Sequence, residues 1–168
     1  RDRVYGAEVI LQKRIKGLYA MAGYTLSWNK RQFDELNQGK WFPFLYDRRH
    51  DLNILLQYDL PKQISASLNF YYSTGSRITL AQQGIDGGFF HPGYMFYGEV
   101  NSSLMPPYHR LDIMTMRQWN SSRGLTQQFI VNIYNAYARR NASTLYIANG
   151  KVYKKSMFSI IPTASYVI

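Results

Sequence analysis

The chain contains no cysteine and no long apolar run. The first absence excludes a disulfide-stapled scaffold and any cysteine-ligated metal site. The second excludes a transmembrane helix, because no stretch approaches the ~20 apolar residues that such a helix needs. Arg1–Lys16 has no uninterrupted apolar stretch either, so we expect no secretory signal there and interpret the sequence as a mature protein or as part of one.

Acidic residues are also scarce, since 10 Asp and Glu stand against 20 Lys and Arg, which gives a formal net charge of +10. A charge of this size is compatible with nucleic-acid binding. However, the cations gather in the predicted loops rather than along one helix or sheet face, and no nucleic-acid-binding motif is present. We therefore expect no nucleic-acid partner and assign the loop cations to anionic lipid headgroups.

What the chain does contain is a series of segments that are apolar on one face and small or polar on the other. In one of them Leu68 and Phe70 alternate with Ser67 and Asn69. Such alternation is typical of a transmembrane antiparallel β-barrel, whose outer face meets lipid and whose inner face meets water. It predicts seven strands, each near the ~9–11 residues that a tilted spanning strand needs. They lie near residues 4–14, 18–28, 50–59, 63–73, 108–119, 125–137 and 158–168.

The connections between these strands are alternately short and long. Short turns of outer-membrane barrels face the periplasm and long loops face outward. The first and seventh strands would then both run towards the periplasm, and the strand count is odd, whereas a self-contained bacterial barrel has an even count. We therefore expect residues 1–168 to be the C-terminal part of one larger barrel domain.

Aromatic residues make up 16% of the chain, and many fall at the ends of the predicted strands. Two aromatic belts, one at each membrane interface, are expected of a spanning barrel. We assign Tyr58, Trp119 and Tyr166 to the inner belt. The outer belt would comprise Tyr5, Trp28, Tyr72, Tyr108, Tyr137 and Phe158.

The last long loop carries Asn149-Gly150, a strong two-residue hairpin signal. Its flanks, 144–148 and 151–153, are short and basic, so we predict a hairpin that projects from the loop. Counting it as a spanning strand gives eight strands and an alternative function, a self-contained small outer-membrane barrel that acts as an anchor or adhesin. A soluble β-sandwich that binds acidic or glycan ligands is a third interpretation.

Four segments carry a resemblance to a known family. They are GKWFPFLYDRRHDLNILLQYDL (39–60), PPYHRLDI (106–113), NIYNAYARRNAS (132–143) and SIIPTASY (159–166). Together they resemble the C-terminal barrel of TonB-dependent outer-membrane receptors and transporters, particularly those of Bacteroidetes. The resemblance implies an all-β fold in which this chain supplies about the last seven strands of a 22-stranded barrel. The N-terminal plug that fills such a barrel has no counterpart in these residues.

The resemblance also implies a function: a multi-pass protein of the cell outer membrane that imports a large or scarce nutrient, of the glycan, peptide or siderophore class. Its implied partners are the plug and the remaining strands of the same protein, outer-membrane lipid, and TonB, which acts through the N-terminal part. A surface lipoprotein lid covers the barrel in the glycan and peptide importers of the family, and it stays an open alternative here. No cofactor is implied.

Candidate ligand-binding residues lie in the long loop 75–107, where aromatic residues stand among glycines. Rings on such a loop can stack on a sugar, a peptide side chain or a siderophore. Packing against neighbouring loops is the alternative use of the same rings. The predicted ligand-binding residues are Phe89, Phe90, Tyr94, Phe96 and Tyr97.

Two polar clusters lie at the outer ends of the third and fifth predicted strands. We interpret them as a rim network that anchors loops, because exposed charge pairs contribute little binding energy. The histidines lack a second ligand at suitable spacing, so no metal site is expected. No nucleophile stands beside an oriented base and no carboxylates are paired, so we expect no enzyme activity. The network comprises Asp47, Arg48, Arg49, His50, Asp51, Arg110 and Asp112.

Overall fold

A computed structural model describes residues 1–85, 94–122, 124–148 and 151–168. These residues form antiparallel strands and one 3-10 turn at Asn37–Gly39. No helix in the described ranges is long and apolar enough to cross a membrane. The prediction of an all-β, antiparallel fold is confirmed.

The strands differ greatly in length, and the seven long ones correspond in order to the seven predicted segments. In chain order the strands are β1 (Asp2–Ile15), β2 (Leu18–Arg31), β3 (Phe42–Pro43), β4 (His50–Leu60), β5 (Ile64–Ser73), β6 (Arg77–Ile78), β7 (Ala81–Ile85), β8 (Tyr94–Tyr97), β9 (Ser103–Leu104), β10 (Tyr108–Asn120), β11 (Thr126–Tyr134), β12 (Ala142–Ala148), β13 (Lys151–Ser156) and β14 (Ile161–Val167).

The long strands form one sheet in the order β1-β2-β4-β5-β10-β11-β14, and β3 pairs with the end of β2. Within the described residues β1 and β14 each have one partner, so the sheet is open at both edges. Three small two-stranded sheets stand apart from it: β6 with β9, β7 with β8, and β12 with β13. Each of them lies within a long connection of the main sheet.

Two predicted strands are longer than the observed ones, and one residue accounts for both differences. β11 ends at Tyr134 rather than near 137, because Asn135 has a φ of 54°, a left-handed conformation that a strand cannot contain. Ile161 pairs with Tyr134, the last residue of β11, so residues 158–160 have no partner in that strand. β14 therefore begins at Ile161 rather than near 158.

The first short connection shows how the tight ends of the sheet are made. Lys16 and Gly17 both have positive φ, 42° and 84°, which is the conformation of a type I′ hairpin turn. The twist of this turn matches that of the strands it joins, so β1 and β2 pair in register from Asp2 with Arg31 to Ile15 with Leu18.

Strand pairing aligns the apolar residues of all seven long strands on one face of the main sheet. Leu56 lies opposite Leu68, Leu68 opposite Ile113, and Ile113 opposite Ile133. Because opposed residues share a face, this rung is apolar across four strands. The adjacent rung on the other face carries Leu55, Asn69 and Asp112 and is mostly polar. The alternation read from each segment thus becomes two continuous surfaces.

The apolar face is open rather than covered by a second layer. Leu11 is 67% exposed and Leu68 is 41% exposed, although both lie well inside their strands. Phe42 is the one buried hydrophobic residue among the described positions, and it lies in an outer loop. The described chain therefore has no internal apolar core in its main sheet.

Two asparagines fasten the long outer loops to each other. The Asn37 side chain accepts from the Val100 backbone N–H at 2.7 Å and donates to the Val100 carbonyl at 3.1 Å. Asn101, which is buried, donates through its side chain to the Pro43 carbonyl at 3.0 Å. These bonds hold the loop between β2 and β4 against the loop between β5 and β10.

Gly75 lies where the loop between β5 and β10 returns to its starting point. A Cβ atom at this position would lie 1.7 Å from the backbone oxygen of Met105, far inside contact distance. The crossing therefore requires glycine at position 75. By contrast, a Cβ atom at Gly23 would meet no atom closer than 4.0 Å.

We expect Gly75→Ala to lower the free energy of unfolding by at least ~1–3 kcal/mol, because backbone must move to relieve the clash. Gly23→Ala is the matched control and should change it by less than ~1 kcal/mol. Denaturant-induced unfolding of the two variants checks this, and equal effects would contradict the crossing at Gly75.

Candidate functional site

Asp47 is the centre of a buried cluster at the outer end of the sheet. Its side chain is 1% exposed. One carboxylate oxygen accepts the Asn29 backbone N–H at 2.7 Å, and the other lies 3.3 Å from Arg49 and 4.0 Å from Arg77. Asp47 thereby ties the end of β2 to the start of β4 and to β6.

Rim arginines pack on aromatic rings near this cluster. The Arg49 guanidinium lies 4.7 Å from the centre of the Trp28 ring, and that of Arg31 lies 3.6 Å from the Phe44 ring. A cation over a ring face is attracted by the negative charge of that face. These contacts hold loop cations at fixed positions on the rim.

The pleat of β4 divides the rest of the first predicted cluster between the two faces of the sheet. His50 lies on the apolar face, where its Nδ1 is 2.7 Å from the Tyr24 hydroxyl. Asp51 lies on the polar face and accepts a hydrogen bond from the Tyr71 hydroxyl. His50 and Asp51, although adjacent in sequence, therefore lie on opposite faces of the sheet.

The second predicted cluster is a compact network on the polar face. Arg110 donates to Asp112 at 2.9 Å, to the Tyr108 hydroxyl at 2.9 Å and to the Tyr134 hydroxyl at 3.0 Å. The prediction that Tyr108 belongs to the outer aromatic belt is therefore wrong. Its position opposite Ser73 sets it on the polar face, because the pleat places it on the side of Arg110 and Asp112.

Asn135 joins this network to the loop after β11, and sequence reasoning missed it. It is 1% exposed, and its backbone N–H donates to Asp112 at 2.9 Å. Its side chain donates to the carbonyls of Arg139, at 2.8 Å, and of Ser159. The available signal was an asparagine directly after an alternating segment, since asparagine tolerates positive φ better than other non-glycine residues.

The loop after β11 also binds the start of β10. The Asn141 side chain accepts from the His109 backbone N–H at 3.2 Å and donates to the His109 carbonyl at 2.9 Å. The Tyr137 hydroxyl lies 2.6 Å from Nδ1 of His109. Burial raises the pKa of the Tyr137 hydroxyl.

Both predicted clusters meet in one polar recess, because β5 lies between β4 and β10. Tyr71 on β5 donates to Asp51, and its ring lies edge-on to that of Tyr108 at 5.8 Å. The recess has a volume of about 410 Å³. The residues that line the recess are Arg48, Asn53, Asn69, Tyr71, Tyr108 and Arg110. Among the described residues Arg48 takes part in no ion pair.

The predicted ligand-binding aromatics are only partly within the described residues. Phe89 and Phe90 lie outside them. Tyr94, Phe96 and Tyr97 form β8, which pairs with β7. Phe96 is 53% exposed and Tyr97 is 64% exposed, so both rings are accessible. No group of three or more His, Cys, Asp or Glu in the described ranges could hold a metal ion.

We expect Asn135→Ala to lower the free energy of unfolding by about 2–3 kcal/mol, because it leaves two part-buried carbonyls without this donor and strains the left-handed backbone. Asn132→Ala, in the middle of β11, is the matched control and should cost less than ~1 kcal/mol. Denaturant-induced unfolding measures both variants. Equal losses would show that Asn135 has no special role in closing the loop.

The function of this chain has to be inferred from its own residues, because comparisons with known proteins give no match. No protein-family model, no curated protein and no solved structure matches the chain. The resemblance to TonB-dependent transporters therefore stays a prediction that rests on the four segments quoted above.

Proposed function

We propose that this chain forms the wall and outer loops of a TonB-dependent importer in the outer membrane. The observation that carries the proposal is the apolar face, which continues through seven paired strands and stays open to its surroundings. In water such a sheet needs a second layer to cover it. In a bilayer the hydrocarbon itself covers the face, and no protein layer is needed.

The spacing of the aromatic belts fits the thickness of a membrane. On β10, His109 belongs to an outer group with Tyr72 and Tyr137, while Trp119 lies 6.1 Å from Tyr166 at the inner end. The ten positions from His109 to Trp119 span about 33 Å at ~3.3 Å per residue. A strand tilt of ~40° reduces this to about 25 Å, the height of the apolar band of outer-membrane barrels.

Four cations of the described strands stand on the apolar face: Arg3 and Lys30 at its outer end, and two near its inner end. Lys13 pairs with Ala20, and Arg117 pairs with Ile64 and Phe129. Long basic side chains at this depth extend their charge to the headgroups while their stems stay in the apolar layer. Arg117 lies 5.9 Å from the Trp119 ring, as expected of a residue at the interface.

The open edges support a larger barrel over a self-contained one. Every residue of β1 is exposed, and β1 and β14 each leave one edge unpaired in the described residues. Unpaired strand edges are very costly in hydrocarbon, so further strands must complete the wall. The hairpin of β12 and β13 pairs only with itself in the described chain, which disfavours the eight-stranded anchor or adhesin.

The remaining features of the importer come from the resemblance. The polar face would line a wide lumen that a plug fills, and TonB would act on the plug through the N-terminal part of the same protein. The asparagine and aspartate contacts on the rim would hold the outer loops in place for capture of a nutrient. A surface lipoprotein would cover these loops in a glycan or peptide importer.

Two neighbouring substitutions on β5 test the membrane wall. Leu68→Arg places a charge in the middle of the apolar face and should cost about 2–4 kcal/mol, whereas Asn69→Arg faces the wet lumen and should cost less than ~1 kcal/mol. The measurement is unfolding of the protein in phospholipid vesicles. Equal tolerance at both positions would refute the lipid-facing assignment.

The intact mass of the denatured native polypeptide tests the importer against the small barrel. These 168 residues account for 19.6 kDa. We expect a mass several times larger, because the missing strands and the plug belong to the same chain. A mass near 19.6 kDa would favour the self-contained anchor or adhesin.

A further inference from the structure

The hairpin of β12 and β13 is positively charged and contains no acidic residue. Between Arg139 and Ser156 the sequence has five cations and no carboxylate, and no Asp or Glu follows Asp112 anywhere in the chain. In β13 the residues Lys151–Lys155 are all exposed. Charge of one sign on an exposed element raises the local concentration of anions.

Strand alternation separates these lysines into two groups. Lys151, Tyr153 and Lys155 stand on one face of the hairpin, because alternate residues of a strand share a face. Lys154 stands on the other face, where its Nζ donates to the Arg140 carbonyl at 3.2 Å. Lys151 and Lys155 share a face with Tyr153, and among the described contacts neither Nζ group makes a hydrogen bond or an ion pair.

Two tyrosine rings lie between the flanking lysines. Tyr146 is directly opposite Tyr153, and their ring centres are 5.6 Å apart with planes inclined by 18°. Tyr146 is 50% exposed and Tyr153 is 40% exposed, so the pair is not packed into a core. We call Tyr146, Tyr153, Lys151 and Lys155 the hairpin platform.

The chemistry of the hairpin platform selects a ligand with rings and negative charges. Tyrosine offers a flat apolar face with a polar edge, which suits the face of a sugar ring. The Cα atoms of Lys151 and Lys155 lie about 13 Å apart along β13 at ~3.3 Å per residue. Each lysine places an ammonium group beside the rings, and ammonium groups pair with carboxylate or sulfate groups. We propose that the hairpin platform binds an acidic oligosaccharide, built from uronic acid or sulfated sugar units.

The position of the hairpin supports a glycan over an anionic lipid surface. β12 approaches β7, and the partner strand of β7 carries the exposed rings of Phe96 and Tyr97. Further exposed aromatic rings therefore lie on the strand next to the one that β12 approaches. A glycan uses both the charges and the paired ring faces, whereas an anionic lipid surface is selected mainly by the charges. The proposal deepens the importer function, on which it rests for the outward placement of the hairpin, by naming the class of nutrient.

Calorimetric titration of the full native polypeptide in a non-ionic detergent tests the proposal. The probes are tetragalacturonate and a sulfated chondroitin tetrasaccharide, with cellotetraose as the neutral probe and phosphatidylglycerol in mixed micelles of the same detergent as the lipid probe. We expect at least one acidic probe to bind, with an affinity that falls as salt rises, and weaker binding of cellotetraose.

Variants of the hairpin assign the binding to the platform. Lys151→Gln and Lys155→Gln should each weaken binding about five-fold, the effect of losing one exposed charge contact. Tyr153→Ala should weaken it about ten-fold through loss of the ring pair. Lys154→Gln removes the same charge from the opposite face and should change affinity less than about two-fold.

Four results would overturn the proposal: no binding of either acidic probe, binding of cellotetraose equal to that of the acidic probes, preferential binding of the phosphatidylglycerol micelles, or equal effects of Lys154→Gln and Lys155→Gln. These results are distinct from failure of the importer function. A clear contrast between Leu68→Arg and Asn69→Arg together with no acidic-probe binding would leave the membrane wall intact and remove only the acidic glycan.

Discussion

The backbone ladder of the main sheet is the constraint on which the other features of this protein depend. Side chains alternate between faces with a period of two, so a slip of one residue in any strand would move its apolar set to the opposite face. The observed pairing instead aligns Leu56, Leu68, Ile113 and Ile133 across four strands. The open apolar surface, the polar recess and the aromatic belts all follow from that register.

With no apolar core in the sheet, buried polar groups order the outer end of the protein. Asp47, Asn101 and Asn135 are buried, and each satisfies backbone groups of segments that are distant in sequence. Hydrogen bonds of this kind are directional, so they determine the path of a loop more closely than apolar contacts do. Loops fixed in this way present a defined surface, which the proposed importer would use to capture its nutrient.

The hairpin platform and the polar recess are two cationic features at the same end of the sheet. Lys151 and Lys155 stand on an exposed hairpin, whereas Arg48 and Arg110 line a recess on the polar face. In the proposed importer the first would meet an acidic sugar outside the cell, and the second would lie at the entrance of the lumen. Positive charge at both places would favour movement of an anionic nutrient inwards.

Sequence alone determined the number and order of the long strands, because period-2 alternation is a local property of each segment. It also indicated polar residues at the ends of β4 and β10 and the pairing of β12 with β13, since charged runs and alternating segments are visible in the chain itself. Whether the chain spans a membrane and imports a nutrient stays a prediction, because neither the alternation of side chains nor the pairing of strands shows what covers the apolar face or what the loops bind.

Tertiary structure decided which side chains come into contact. Only the pairing of β4, β5 and β10 brings Asp51, Tyr71 and Arg110 towards one recess, and only the pleat sends His50 and Tyr108 to opposite faces. Asn135 gained its role in the same way, because its partners Asp112 and Ser159 are separated from it by more than twenty residues. Contacts at such separations depend on strand register, which no single segment of the sequence contains.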